Sequence, residues 1–130
     1  MNRGFHSIGG IPGGWGGLVI LGGTFTIGSA GAITAQTGDG TAGATIAYVA
    51  AGLYTATFLV AAGPVRINLG AHATMVGPDA SAFPTTTGSN PQCRVQATTG
   101  FKIQFIRPDT QADADPASGT ICNWICLVQA

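Results

Sequence analysis

Residues 92–106 read QCRVQATTGFKIQFI, and this stretch decides the fold. Cys93, Val95 and Ala97 alternate with Arg94, Gln96 and Thr98, and after a break at Thr99-Gly100 the residues Phe101, Ile103 and Phe105 form a matching apolar stripe. Side chains with a period of two lie on opposite faces of an extended chain, whereas a helix repeats near 3.6. Two such runs around a Thr-Gly break predict a β-hairpin with one apolar face.

Working outward, the same grammar repeats. Thr24 to Ile27 alternates, residues 28–31 (GSAG) turn, and residues 32–35 return. Thr45 to Val49 reads as a strand, and Ala51-Gly52 turns into LYTATFLV at 53–60. There Tyr54, Ala56, Phe58 and Val60 share a face. Val65, Ile67 and Leu69 point one way, and Gly70 predicts a bulge before residues 71–76 continue. Residues 77–91 form the longest irregular stretch, and 107–119 (RPDTQADADPASG) a polar connection. The final strand, TICNWICLVQ at 120–129, is apolar on both faces: Ile121, Asn123, Ile125 and Leu127 on one, Cys122, Trp124, Cys126 and Val128 on the other. A strand with one wet face would alternate. This one predicts burial on both sides, by the core and by a sister subunit, with Ile121, Trp124, Ile125 and Leu127 as the interface. Many short strands with turn punctuation and no amphipathic helix predict an all-β sandwich or barrel.

Charge is the second signal. The chain has no glutamate and one lysine, Lys102, and only 8% of its 130 residues are charged, with a net charge of zero. About a quarter is usual for a soluble domain. A surface this poor in charge fits a protein largely covered by other protein. The balance offers no basic patch for nucleic acid and no polybasic segment for anionic membranes. The longest apolar run near the start, Leu18 to Leu21, is too short for a signal core or a membrane span, so the expectation is synthesis in the cytoplasm without secretion.

The motifs that carry chemistry elsewhere are weak here. Residues 38–43 (GDGTAG) match G-x-G-x-x-G, but a dinucleotide site needs a following helix and the next residues read as a strand. Asp113 and Asp115 read as a polar turn, because calcium wants six to eight oxygens. Cys93, Cys122 and Cys126 cannot all pair, and Cys122 and Cys126 on one strand stand about 13 Å apart, beyond disulfide reach. They read as buried reduced thiols. Without glutamate or a recognisable nucleophile motif, the chain reads as a non-enzyme with no cofactor and no metal.

Residues 9–23 read GGIPGGWGGLVILGG, with eight glycines. So many glycines cannot make a stable helix, yet Ile11, Trp15, Leu18 and Ile20 are too apolar for a solvated linker. The division expected is a Gly-rich arm at 1–23, extended over another surface through those four residues, and a β-sandwich at 24–130; the alternative is a flexible leader followed by a first core strand at Leu18 to Leu21. Trp15 is either an anchor for a partner pocket or a leader residue packed back on its own domain.

Two further segments, GLYTATF at 52–58 and DPASG at 115–119 leading into the apolar last strand, together with FKIQF at 101–105, resemble small phage virion proteins, both decoration (cement) proteins and fibre heads. The resemblance spans about residues 24–130. It implies a jelly-roll-like sandwich, often trimeric, with a binding and stabilising role and no catalytic residues. The expected protein is a capsid decoration protein, made in the host bacterial cytoplasm and located on the virion surface, where it binds the major capsid protein as a homo-oligomer, a trimer by this resemblance. The alternative expectation is a head- or tail-fibre domain that binds a host receptor glycan through the 77–91 loop.

Overall fold

The computed structural model describes residues 18–37, 43–59, 67–77 and 90–129. They form eight strands: β1 Leu18–Ile27, β2 Ile33–Gln36, β3 Ala44–Ala50, β4 Leu53–Phe58, β5 Ile67–Val76, β6 Asn90–Ala97, β7 Gly100–Ile106 and β8 Ile121–Gln129. Two four-stranded sheets result, ordered β2-β1-β8-β5 and β3-β4-β7-β6, with every pairing antiparallel. The alternation predicts an all-β sandwich or barrel, and the two sheets make it a sandwich; the register shift between Asn68 and Gly70 is the bulge expected there.

The N-terminal boundary needs correction. Leu18 to Gly23 do not belong to an arm: they are the first half of β1, a central strand paired along its length with β8. The physical reason lies in the partner. Trp124 stands across from Gly23 on β1 and from Ala73 on β5, and these two small residues leave the width that an indole needs. Of the Gly-Gly pair that reads as flexible in isolation, Gly23 lies across from the largest side chain of the core, while Gly22 lies across from Ile125 on the outer face. Ile11 and Trp15 lie outside the described residues.

The core fills the space between the sheets. Val19, Leu21, Phe25 and Ile27 from β1 and Cys122, Trp124, Cys126 and Val128 from β8 face Ile46, Tyr54, Ala56, Phe101, Ile103 and Phe105 from the other sheet. Rings bridge the layers: Trp124 packs on Phe101 at 5.6 Å between centroids, and Tyr54 touches both Phe25 (5.2 Å) and Phe105 (5.6 Å). The Tyr54 hydroxyl donates to the carbonyl of Gly31 at 2.7 Å, which satisfies its buried polar end.

Amide side chains close both open flanks of the sandwich. On one, Gln36 of β2 accepts from the Ile46 N–H (2.9 Å) and donates to the Ile46 carbonyl (3.2 Å) across the gap to β3. On the other, Asn68 of β5 donates to the carbonyls of Ala97 (3.0 Å) and Gly100 (3.1 Å) in the β6–β7 hairpin. Its own oxygen accepts from the Gly70 N–H (3.1 Å) and the Cys126 thiol (3.3 Å). An edge strand with unpaired backbone groups invites foreign strands, and these side chains occupy part of that edge.

The two motifs that carry the family resemblance meet in space. The Asp115 carboxylate accepts from the Gly52 N–H at 2.7 Å and from the Tyr48 hydroxyl at 3.3 Å, so DPASG clamps the β3–β4 turn. Gly52 turns at φ 69°, and a Cβ there would press on the Ala114 nitrogen and the Phe105 carbonyl oxygen. One sequence expectation in the hairpin also fails. Ala97 is exposed rather than inward, because the ladder slips between Arg94 and Ala97.

Asn68→Ala is expected to lower unfolding free energy in urea by about 3 kcal/mol, since four hydrogen bonds of about 1 kcal/mol each are lost or left half-made. Asn68→Asp should not restore it, because a carboxylate cannot donate to the Ala97 and Gly100 carbonyls. Full stability in Asn68→Asp would contradict the closure assigned to this amide.

Candidate functional site

The ladder fixes which side of β8 each residue takes. Trp124 is 1% exposed and belongs to the core, flanked inward by Cys122 and Cys126. It is therefore removed from the expected interface set, since burying an indole inside its own subunit leaves nothing for a neighbour. Ile121, Ile125 and Leu127 take the opposite side, as predicted, with Ile121 and Ile125 exposed and Leu127 half-buried.

These three do not stand alone. Leu18 and Ile20 of β1, between the buried Val19 and Leu21, also point to the outer face, where Ile20 lies across from Leu127. On the other flank of β8, Val76 lies across from Ile121 and His72 across from Ile125. Exposed Ile67 and Leu69 extend the surface at the bulge. Thr24, Asn123 and Thr74 make one polar row across the middle. No Asp, Glu, Lys or Arg occurs in any of the four strands of this sheet. Ile125 is 53% and Val76 55% exposed. Exposed apolar residues grouped on both sides of one polar row, with no charged side chain among them, are what interaction surfaces present, whereas scattered exposed apolar residues are ordinary.

The second sheet turns a different side outward. Thr45, Ala47, Thr55 and Thr57 share its outer face with Gln92, Arg94, Lys102 and Gln104. The sandwich thus has one apolar, uncharged face and one polar face that carries two cations.

The remaining sequence candidates are structural. Gly43 leads directly into β3, a strand where a dinucleotide site requires a helix, and the rest of the 38–43 motif lies outside the described residues. Asp113 accepts from the Gln104 amide at 2.5 Å while Asp115 holds the β3–β4 turn, so the two carboxylates serve different partners. Among the described residues, no three His, Cys, Asp or Glu side chains converge as a metal site would need. The cysteines are free. Burial pushes the Cys93 thiol up to about 11 and, helped by Cys93, the Cys126 thiol up to about 12; Cys122 moves the same way. All three stay protonated at neutral pH, which makes them poor nucleophiles. At the polar connection Arg107 grips Asp109 at 2.6 Å and holds its carboxyl below the usual range. The 78–89 part of the loop considered for glycan binding lies outside the described residues.

Sequence reading missed His72, Val76, Ile67 and Leu69 as parts of the site. The signal was present in the alternation of β5, but only the pairing of β5 beside β8 joins these residues to Ile121 and Ile125.

No protein-family model matches the chain, and neither the curated proteins nor the solved structures contain a match to it.

Adjacent residues 124 and 125 test this assignment. Trp124→Ala should cost about 3–5 kcal/mol of stability through the cavity it leaves. Ile125→Ala should shift the stability of the dilute, dissociated chain by no more than about 0.5 kcal/mol, as for an exposed site. Comparable losses in urea melts would contradict the facing of β8.

Proposed function

We propose that the protein is a structural virion component, a phage capsid decoration (cement) protein that associates with itself, as a trimer, and binds the major capsid protein on the outer surface of the shell. The observation that carries this reading is the charge-free apolar outer face of the β2-β1-β8-β5 sheet. Each Ile, Leu or Val taken out of water there stabilises by about 1.5–3 kcal/mol before ordering costs. Ile121, Ile125, Leu127 and Val76 give one subunit several such anchors. In an isotropic monomer the same face is an aggregation hazard, and sister copies remove it.

The nested winding supports the family resemblance. The first and last strands are neighbours, β4 lies beside β7, and β5 and β6 form facing edges joined through Asn68. We read this order as jelly-roll-like. The low charge of the whole chain points the same way, because a subunit held in a particle is kept apart from others by geometry rather than by charge repulsion. The role is mechanical, so it requires no catalytic group and no cofactor. Leu18 and Ile20 act as part of the sister-subunit face in this reading, and attachment to the shell is left to Ile11 and Trp15. Many equivalent contacts on one particle then multiply into firm attachment. Production in the bacterial cytoplasm and residence on the virion surface follow from that role.

Light scattering coupled to size exclusion should give the full chain a mass of three times its 13.0 kDa. Ile125→Lys should give the chain mass itself with an unchanged far-ultraviolet spectrum. A wild-type monomer at tens of micromolar would sink the self-association. Removal of residues 1–17, which spares β1, should leave the trimer intact and reduce occupancy on capsids at least tenfold. Unchanged occupancy would remove the arm from the attachment mechanism, and capture of a glycan by the trimer with no affinity for capsids would favour a receptor-binding fibre domain.

A further inference from the structure

The β3-β4-β7-β6 sheet carries a feature that self-association does not use. Arg94 on β6 stands directly across from Lys102 on β7, both exposed on the outer face. Like charges in directly opposed cross-strand positions repel each other. They are the only charged residues in the described strands, so no carboxylate in those strands offsets them. The three described aspartates are all committed elsewhere: Asp109 to Arg107, Asp113 to the Gln104 amide and Asp115 to the Gly52 N–H and Tyr48 hydroxyl. A chain with 5 basic residues thus opposes two of them. Breaches of a local rule without a local compensation tend to mark functional positions.

The surface beside the pair has a matching shape. Gly100 lies across from Thr57 on β4 and takes φ 155°, and a Cβ there would run into the Ala56 carbonyl oxygen. No side chain can therefore fill this place, and the outer face sinks into a shallow depression lined by Thr55, Thr57, Thr99, Gly100 and Lys102. Three threonines and Lys102 line it together with Ala56, Ala97 and Phe101, and Arg94 stands across the ladder from Lys102.

We propose that this depression and the Arg94–Lys102 pair form a docking site for carboxylate side chains of an acidic protein surface. A guanidinium holds a carboxylate with two parallel hydrogen bonds, the ammonium adds a point charge, and threonine hydroxyls donate to a second oxygen. Charge complementarity selects the occupant: an acidic partner turns the unfavourable pair into a favourable triplet. A polypeptide is preferred over an acidic sugar because the aromatic residue of the lining, Phe101, is buried, with its ring packed on Phe58 and Trp124, and does not offer a face to a sugar ring. The site lies on the sheet opposite the apolar face and stands whether or not the latter joins sister subunits.

The test is an amide nitrogen–proton NMR titration of the full chain with hexaglutamate, hexaglutamine and N-acetylneuraminic acid as separate probes. Hexaglutamate should move the amides of Thr57, Gly100 and Lys102 saturably, and raising the salt from 20 to about 200 mM should weaken it severalfold. Arg94→Ala/Lys102→Ala should weaken it at least tenfold and keep or raise the melting temperature. Lys102→Arg should retain most of the binding. Equal binding by the double variant, equal binding of hexaglutamine, shifts confined to other residues, or tighter binding of the sugar acid would each overturn the proposal.

Discussion

The indole of Trp124 determines the facing of the sheet on which the functional reading rests. It needs a neighbour without a side chain on one strand and a small one on the other, and it finds Gly23 and Ala73 there. Across the sandwich it meets Phe101. With Trp124 inward, the period of two leaves Ile121, Ile125 and Leu127 no choice but the outer face. The apolar surface is thus a consequence of core packing combined with a final strand that is apolar on both sides. A strand of this composition in a free monomer exposes isoleucines to water, and this is the observation on which the proposed covering by another protein rests.

Most of the strands were legible in the sequence, because burial on one side writes itself as alternation. The hairpin at 92–106, the turn at Ala51-Gly52 and the bulge at Gly70 were each visible for that reason. A first strand at Leu18 to Leu21 was visible only as the second reading, and Gly22-Gly23 not at all, because glycine lowers strand propensity and carries no pattern of its own. Its role becomes visible only once β8 lies alongside and Trp124 claims the space. The same limit explains Trp124 itself. On a strand with two apolar faces, hydrophobicity alone does not say which face is in, and the answer comes from the size of the residues on the flanking strands.

The candidate face was legible in part. That Ile121, Ile125 and Leu127 share one side of the last strand followed from its alternation, but their neighbours on β5 required knowledge of which strand lies beside β8. Pairings between residues 53 positions apart, such as His72 with Ile125, follow from topology and leave no local trace. The Arg94–Lys102 opposition depends on the register of the β6–β7 hairpin, which the slip before Ala97 limits to the stretch from Asn90 to Arg94. The charge deficit of the chain therefore has a geometry: one sheet has none, and the other concentrates a like-charged pair beside a glycine-floored depression.

The central claim is that the outer face of the β2-β1-β8-β5 sheet is covered in the working assembly. Maleimide labelling of an Ile125→Cys variant measures this directly, with the protonated core thiols Cys122 and Cys126 as slow internal references. The account predicts rapid labelling of the dilute, dissociated chain and at least tenfold slower labelling in the assembled state. Equal rates in both states would contradict it.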